Sequence, residues 1–169
     1  MNIVLIGFMA TGKTILGKIL AKKLNMEFID TDFLIEKNEG KRISKIFKEK
    51  GEEYFRNVEK NIIKKASKKN NIVISTGGGA VLLPENMERL KKKGIIICLK
   101  TSPEIILERI KQQKGTRPLL NKPEPLKEIK SILKKRAPCY KQADLTIDTS
   151  DFATGKIITQ LIKKINDLY

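Results

Sequence analysis

Residues 7–14, GFMATGKT, constrain the fold more than any other part of the chain. They match the pattern GxxxxGK[ST] in full, with an apolar run at residues 3–6 before them and apolar residues at helical spacing after them. In this context the glycines let backbone N–H groups turn inward around phosphate, and the helix N-terminus attracts an anion. We therefore predict a P-loop, with Lys13 at the β- and γ-phosphates and the Thr14 hydroxyl on Mg²⁺. The alternative is an ordinary strand–turn–helix with a chance lysine.

Short apolar runs alternate with longer stretches of helical spacing, and this alternation predicts an α/β fold. The apolar runs are residues 3–6, 28–29, 72–75, 95–99 and 145–147. The first of them, residues 3–6, shows no polar alternation, as expected of a strand buried on both faces of a parallel sheet. A mainly helical region is predicted at about residues 33–67, and residues 112–125 are predicted to form a mobile loop. The length of 169 residues suits a single domain, residues 1–169.

Polar residues and glycines follow the second and third predicted strands, at the sheet edge where parallel α/β folds bind ligands. Asp30 and Asp32 follow the second strand. One carboxylate could support a metal ion through water while the other accepts a proton from an acceptor hydroxyl. Capping of the next helix is an equally good interpretation. Gly77, Gly78 and Gly79 follow the third strand, where three glycines suit the close approach of a ligand or form a flexible turn.

Arginine is scarce in this chain, so its positions are informative. Lysine and arginine number 35 together, of which six are arginine: Arg42, Arg56, Arg89, Arg109, Arg117 and Arg136. A planar guanidinium binds carboxylate or phosphate through two parallel hydrogen bonds, which lysine cannot do. We hypothesise that four of the six bind anions: Arg56, Arg109, Arg117 and Arg136. Arg117 could close over phosphate groups or be a solvated loop charge. Arg56 and Glu59 share a helix face, and these two residues taken alone favour a plain surface ion pair.

The net charge of +16 would suit a nucleic-acid-binding protein. Many lysines, however, fall where predicted helices face water, as at residues 22–23, 64–65 and 91–93. This distribution favours a solvated surface and no nucleic-acid partner. Six phenylalanines, three tyrosines and no tryptophan also give no aromatic–basic interleaving. The positive field would still attract ATP and a carboxylate substrate.

The residues that the chain lacks limit its chemistry. Without histidine, a general base near pH 7 must be a carboxylate, a lysine or the substrate itself, and a zinc site has almost no ligands. Cys98 and Cys139 are predicted to be reduced thiols. No apolar run approaches the roughly 20 residues that cross a bilayer, and no signal pattern opens the chain. We therefore expect a soluble cytoplasmic protein with no membrane partner.

The chain resembles the shikimate kinase family from Ile3 to about Ile165. The resemblance rests on the motifs GFMATGKT, DTD, FRNVE, STGGG, TRPLL and KRAPCY, in family order and spacing. It implies an α/β/α P-loop kinase fold of three layers with a five-stranded parallel sheet. It also implies a lid at about residues 111–125, a helical acceptor-binding subdomain at about residues 32–60, and a monomer. The implied reaction transfers the γ-phosphoryl group of ATP to the 3-hydroxyl of shikimate, with Mg²⁺ as cofactor.

The resemblance also implies two sets of binding residues. Those for the nucleotide are Gly7, Ala10, Thr11, Gly12, Lys13, Thr14, Ile15, Arg109, Arg117 and Ala153. Those for shikimate are Asp32, Arg56, Glu59, Gly77, Gly78, Gly79 and Arg136. Among them Lys13, Asp32 and Arg117 are the implied catalytic residues, as phosphate ligand, base and lid arginine. Thr14, with Asp30 through water, is implied to hold Mg²⁺.

The resemblance also implies roles for individual arginines and for the adenine loop. Glu59 orients Arg56, which binds the shikimate carboxylate together with Arg136, and Arg109 stacks on adenine. Residues 148–153 occupy the position of the family's adenine loop but lack the proline often found there. Two rival functions are less well supported. The FRxxE and GGG combination argues against a kinase of the same fold for gluconate or a nucleoside monophosphate, and the single-domain length and scarcity of aromatic residues argue against a nucleic-acid-binding P-loop ATPase.

Overall fold

A computed structural model of the protein describes residues 1–113, 121–151 and 153–168. The described residues form a parallel sheet flanked by helices. The strands are β1 Asn2–Ile6, β2 Glu27–Asp30, β3 Ile72–Ser75, β4 Gly94–Lys100 and β5 Leu145–Asp148. The helices are α1 Lys13–Lys23, α2 Thr31–Glu39, α3 Ile43–Ala66, α4 Pro84–Lys91, α5 Pro103–Gln112, α6 Pro125–Tyr140 and α7 Thr154–Asn166, with a 3₁₀ turn at Ala80–Leu82.

Within the described residues the sheet has five parallel strands, as the resemblance implied. The structure adds their order, which is β2-β3-β1-β4-β5. The chain extends the sheet to one side of β1 with β2 and β3, and to the other side with β4 and β5. Such a reversal opens a crevice beyond the carboxyl end of the central strand. The P-loop follows β1 directly, and the glycine run follows the neighbouring β3, so both segments meet at this crevice.

Both faces of the sheet are covered, which explains why the inner strands β1, β3 and β4 are buried along nearly their whole length. Along β1, Ile3 and Leu5 belong to the apolar cluster under α1 and α7, whereas Val4 and Ile6 belong to the cluster on the opposite face. The second cluster includes residues of α3 and α4, such as Ile63 and Met87. The predicted layers of helix, sheet and helix are therefore confirmed.

The region predicted as mainly helical between about residues 33 and 67 consists of two helices, α2 and α3. Gly40 ends α2 with a φ of 63°, a left-handed conformation that glycine adopts most easily. Gly51 also has a positive φ, of 80°, and its non-helical conformation kinks α3. A separate apolar cluster joins the two helices and contains Ile35, Ile46, Phe55 and Ile62.

Part of the predicted lid lies outside the described residues. Gln112 ends α5 and Pro125 begins α6, so the two helices flank this segment. Arg117 and the rest of the TRPLL motif lie outside the described residues, as does Phe152 in the predicted adenine loop. Among the helices of the described ranges, none combines the length and apolar character that a bilayer crossing requires.

Candidate active site

The P-loop takes its shape from three residues with positive φ angles. These are Gly7 at 143°, Ala10 at 61° and Gly12 at 94°. At Gly7 a side chain would also collide with the carbonyl oxygen of Leu99, at the end of β4. The glycines therefore let the loop turn tightly against the sheet before α1 begins at Lys13.

Lys13 holds a buried ammonium group in the mouth of this loop. Its Nζ donates hydrogen bonds to the carbonyl oxygens of Gly7, at 2.9 Å, and Phe8, at 2.7 Å. Burial lowers the pKa of Lys13 to about 8, and the nearby carboxylates of Asp32 and Asp30 act in the opposite direction. A bound anion at this point would favour the charged form, because it compensates for the loss of solvation.

Asp30 has two partners at once, at the junction of β2 and α2. Its Oδ2 accepts a hydrogen bond from the Thr14 hydroxyl at 2.7 Å. Its Oδ1 accepts from the backbone N–H groups of Asp32, at 3.0 Å, and Phe33, at 3.2 Å. Asp30 therefore caps α2, which was one of the two interpretations drawn from the sequence. The same carboxylate also reaches the P-loop through Thr14. Thr14 and Asp30 together present oxygen ligands of the kind that Mg²⁺ prefers.

Asp32 lies just inside α2 and has an unusual carboxyl group. Its Oδ1 is enclosed and has no hydrogen-bond partner among the described residues. Burial, followed by the charge of Asp30, raises the pKa of Asp32 to about 6, while Lys13 acts to lower it. A carboxyl group with such a pKa can take up and release a proton near neutral pH.

Gly77 lies between two buried carboxylates. Its backbone N–H donates to the Thr31 hydroxyl at 3.1 Å. A Cβ at Gly77 would lie 2.5 Å from Oδ1 of Asp32 and 2.9 Å from Oε1 of Glu59. Neither oxygen has a partner among the described residues. The glycine therefore lets two carboxylate oxygens with free hydrogen-bonding capacity converge beside the P-loop.

Arg56 and Glu59 form a partly buried ion pair on α3. Nη1 of Arg56 lies 2.7 Å from Oε2 of Glu59, whose side chain is only 1% exposed. Burial raises the pKa of Glu59, and the charge and hydrogen bond of Arg56 act to lower it. Glu52 also accepts hydrogen bonds from the Arg56 guanidinium. A side chain at Gly79 would collide with the same guanidinium. The surface ion pair considered from the sequence is therefore wrong for Glu59, which is enclosed.

Arg136 approaches the glycine run from α6. Its Nη1 donates to the Gly78 carbonyl oxygen at 2.9 Å, and the Tyr140 hydroxyl donates to the same oxygen at 3.2 Å. The guanidinium carbon lies 5.6 Å from the ring centre of Phe8, close enough for a cation–π contact. Two arginines, Arg56 and Arg136, therefore adjoin the same three glycines. Sequence reasoning did not single out Tyr140, although it belongs to the KRAPCY motif.

Arg109 lies on the other side of the P-loop, on α5. It donates to the carbonyl oxygens of Ala10 at 3.1 Å, Thr149 at 2.6 Å and Ser150 at 3.1 Å. Arg109 is therefore held between the P-loop and the segment after β5. Two further predicted nucleotide residues lie at helix starts: Ile15, whose side chain is 53% exposed in the first turn of α1, and Ala153, directly before α7.

Comparison with known proteins decides the family. A family model described as shikimate kinase matches residues 9–166 of the chain. The chain belongs to the shikimate kinase family. A shikimate kinase from Thermodesulfovibrio yellowstonii is 49% identical over 167 residues, covering 99% of this chain and 96% of the relative. One from Caldanaerobacter subterraneus subsp. tengcongensis is 49% identical over 162 residues, covering 96% of this chain and 94% of the relative. The resemblance inferred from the motifs is confirmed, and it places the chain among ATP-dependent kinases.

Solved structures of shikimate kinases are similar to the whole chain. A shikimate kinase from Acinetobacter baumannii in complex with shikimate has a TM-score of 0.92 and 36% identity, covering 98% of this chain and 93% of that one. One from Bacteroides thetaiotaomicron has a TM-score of 0.90 and 35% identity, covering 98% of both chains. A gluconokinase from Sinorhizobium meliloti has a TM-score of 0.66 at 16% identity, covering 99% of this chain and 92% of that one, which shows a shared fold alone.

Replacing Asp32 by asparagine is expected to change how stability depends on pH. Since the folded-state pKa of Asp32 is raised from 3.8 to about 6, its contribution to stability is full below pH 4 and is lost as the pH rises through 6. Asparagine does not titrate. The free energy of unfolding of Asp32→Asn, relative to the parent, should therefore increase by roughly 1–1.5 kcal/mol between pH 5 and pH 8. Denaturant unfolding at both pH values measures it.

Glu88→Gln is the matched control, because Glu88 is an exposed carboxyl group on α4. Its stability difference from the parent should be the same at pH 5 and pH 8. A difference for Asp32→Asn that does not change with pH would contradict the buried, proton-retaining state of Asp32.

Proposed function

We propose that this protein transfers the γ-phosphoryl group of ATP to the 3-hydroxyl of shikimate, giving ADP and shikimate 3-phosphate, in the biosynthesis of chorismate and the aromatic amino acids. The observation that carries the proposal is the placement of Arg56 and Arg136 at the same glycine run, beside Asp32 and the P-loop. A small acceptor with one carboxylate and several hydroxyls suits this combination of two guanidinium groups and a carboxyl group.

On the nucleotide side, we infer that Lys13 and the N–H groups of the P-loop bind the phosphates. The Lys13 ammonium, now bonded to two loop carbonyls, is close to where those phosphates would lie. Thr14, with Asp30 through water, would hold Mg²⁺, which neutralises phosphate charge when it is bound. The 2.7 Å pairing of Thr14 and Asp30 supports this assignment. Arg117 is proposed to close on the phosphates with the lid, and Arg109, Ile15 and Ala153 to contact the rest of the nucleotide.

On the acceptor side, we infer that Arg56 and Arg136 bind the shikimate carboxylate. Glu59 fixes the direction of Arg56 through the 2.7 Å ion pair, since its own side chain is enclosed and cannot rotate away into water. The backbone of Gly77, Gly78 and Gly79 lies against the ring. These residues belong to, or adjoin, the proposed acceptor-binding subdomain at about residues 32–60.

Asp32 is proposed to contact the reacting hydroxyl and to accept its proton. The free lone pairs of Oδ1 and a pKa of about 6 support this role. The rest of catalysis is positioning and charge neutralisation, because the transferring phosphoryl group needs little covalent help.

The pH dependence of turnover checks this role of Asp32. Because the base must be ionised, kcat/KM for shikimate should fall as the pH drops through about 6. Asp32→Asn should lower kcat by roughly 10²–10⁴-fold. Steady-state rates between pH 5 and pH 9 measure both effects. A parent profile that stays flat from pH 5 to pH 7 would show that Asp32 only positions the hydroxyl.

The acceptor itself is tested by ADP release from Mg²⁺-ATP with shikimate, gluconate, AMP or no acceptor in parallel. We expect turnover with shikimate alone, because a nucleoside monophosphate or gluconate presents its anionic group at a different distance from the reacting oxygen. Comparable turnover with another acceptor, or hydrolysis of ATP with none, would overturn the acceptor assignment and leave the P-loop assignment intact.

Lysine substitutions test the two arginines. Arg56→Lys and Arg136→Lys keep the positive charge but remove the paired N–H groups of the guanidinium. Each is expected to raise KM for shikimate by about tenfold or more while changing KM for ATP by less than about twofold. Arg42→Lys is the matched control, since Arg42 is exposed at the start of α3. An unchanged KM for shikimate in either variant would remove that arginine from the acceptor site.

The proposal includes a monomeric, cytoplasmic protein that has no nucleic-acid or membrane partner, as the sequence suggested. Sedimentation at several protein concentrations tests the monomer. Binding to DNA or RNA that weakens steeply with salt would contradict the absence of a nucleic-acid partner.

A further inference from the structure

Thr149 has a buried hydroxyl that joins two loops far apart in the sequence. It follows β5 and is fully enclosed, with 0% exposure. Its Oγ1 lies 2.9 Å from the carbonyl oxygen of Thr11 in the P-loop and 2.7 Å from Oγ1 of Thr101. Thr11 and Thr101 are also buried, at 1% and 3% exposure. These contacts therefore lie in a dry environment, where a hydrogen bond is strong and its loss is costly.

The number of protons fixes the direction of these hydrogen bonds. Each hydroxyl carries one proton, and the Thr11 carbonyl oxygen can only accept. If Thr149 donates to Thr11, Thr101 must donate to Thr149. The carbonyl oxygen of Lys100 lies farther from Oγ1 of Thr149, at 3.2 Å, than that of Thr11, at 2.9 Å, and it already accepts the Thr149 backbone N–H. The proton order therefore runs from Thr101 through Thr149 to Thr11.

Arg109 provides the start of the same chain. Its Nη1 lies 3.5 Å from Oγ1 of Thr101, and the guanidinium also donates to the carbonyl oxygens of Ala10 and Thr149. Hydrogen bonds thus run continuously from Arg109 through Thr101 and Thr149 to the carbonyl oxygen of Thr11 in the P-loop. Such chains strengthen each member, because each bond polarises the next.

We propose that Thr149 is a positioning residue that holds the segment after β5 at a fixed distance from the P-loop, so that a nucleotide spanning both gains affinity over its phosphate part alone. The backbone pairing of Thr149 with Lys100 keeps its hydroxyl anchored to the sheet while it bonds Thr11. The inference rests on the nucleotide half of the proposed function and is independent of which acceptor is used.

A role in joining the two parts of the nucleotide site differs measurably from a role in shaping the P-loop. In the proposed nucleotide site, inorganic tripolyphosphate is expected to bind at the P-loop, whereas ATP would also reach the side of the site where Arg109 and the segment after β5 lie. The ratio of the two dissociation constants therefore reports how well the two regions are held together. If Thr149 only shaped the P-loop, its loss would weaken both ligands equally.

The experiment measures binding of ATP and of tripolyphosphate, each with Mg²⁺ and without acceptor, by displacement calorimetry. Thr149→Val keeps the side-chain shape and removes the hydroxyl. We expect Kd for ATP to rise about tenfold and Kd for tripolyphosphate to change less than about twofold. Thr149→Ser restores the hydroxyl and should restore the ratio. Thr146→Val is the matched control, a threonine on β5 with an exposed side chain.

Thr101→Val is the second variant, since it removes the donor to Thr149 but leaves the bond from Thr149 to Thr11. It should shift the ratio in the same direction, by about two- to threefold, and it keeps the test valid if Thr149→Val does not fold by circular dichroism. Equal weakening of both ligands, or no change in the ratio for these variants, would overturn the proposal. An error in the acceptor assignment would leave all of these measurements unchanged.

Discussion

The burial of one ammonium group, that of Lys13, organises the whole crevice. A buried cation is costly unless anions or dipoles surround it. Here two loop carbonyls bond it, and the carboxylates of Asp30 and Asp32 oppose the effect of burial on its pKa. Those carboxylates lie at the end of β2 and the start of α2, and the strand order places β2 only one strand away from β1 and its P-loop. The electrostatics of the site therefore depend on the sheet topology.

The proposed acceptor half of the site encloses polar groups that have no partner among the described residues. Oδ1 of Asp32 and Oε1 of Glu59 are buried and lack partners among the described residues. Unpaired buried oxygens destabilise a fold, so they are expected where a ligand supplies the missing donors. The pairing of Glu59 with Arg56 offsets part of this cost and at the same time fixes the guanidinium in place.

The sequence predicted what depends on local pattern and missed what depends on distant contacts. The strands, the P-loop and the position of the polar residues after β2 and β3 follow from short apolar runs and glycine motifs, and the structure agrees with them. Neither the enclosure of Glu59 nor the bond from Thr149 to Thr11 leaves a local signal. The latter joins residues 138 positions apart, which no periodicity can indicate. Arg117 lies outside the described residues, so its role in the lid stays a prediction.

The position of α6 has a consequence for how the enzyme can change over evolution. This one helix starts beside the predicted lid segment, packs through Ile129 on Phe8 of the P-loop, and carries Arg136 to the carbonyl of Gly78. A substitution that shifts α6 against Phe8 would therefore also move Arg136 at the proposed acceptor site. Selection on this packing contact is consequently constrained, because a change made for the nucleotide side would also alter the proposed acceptor side.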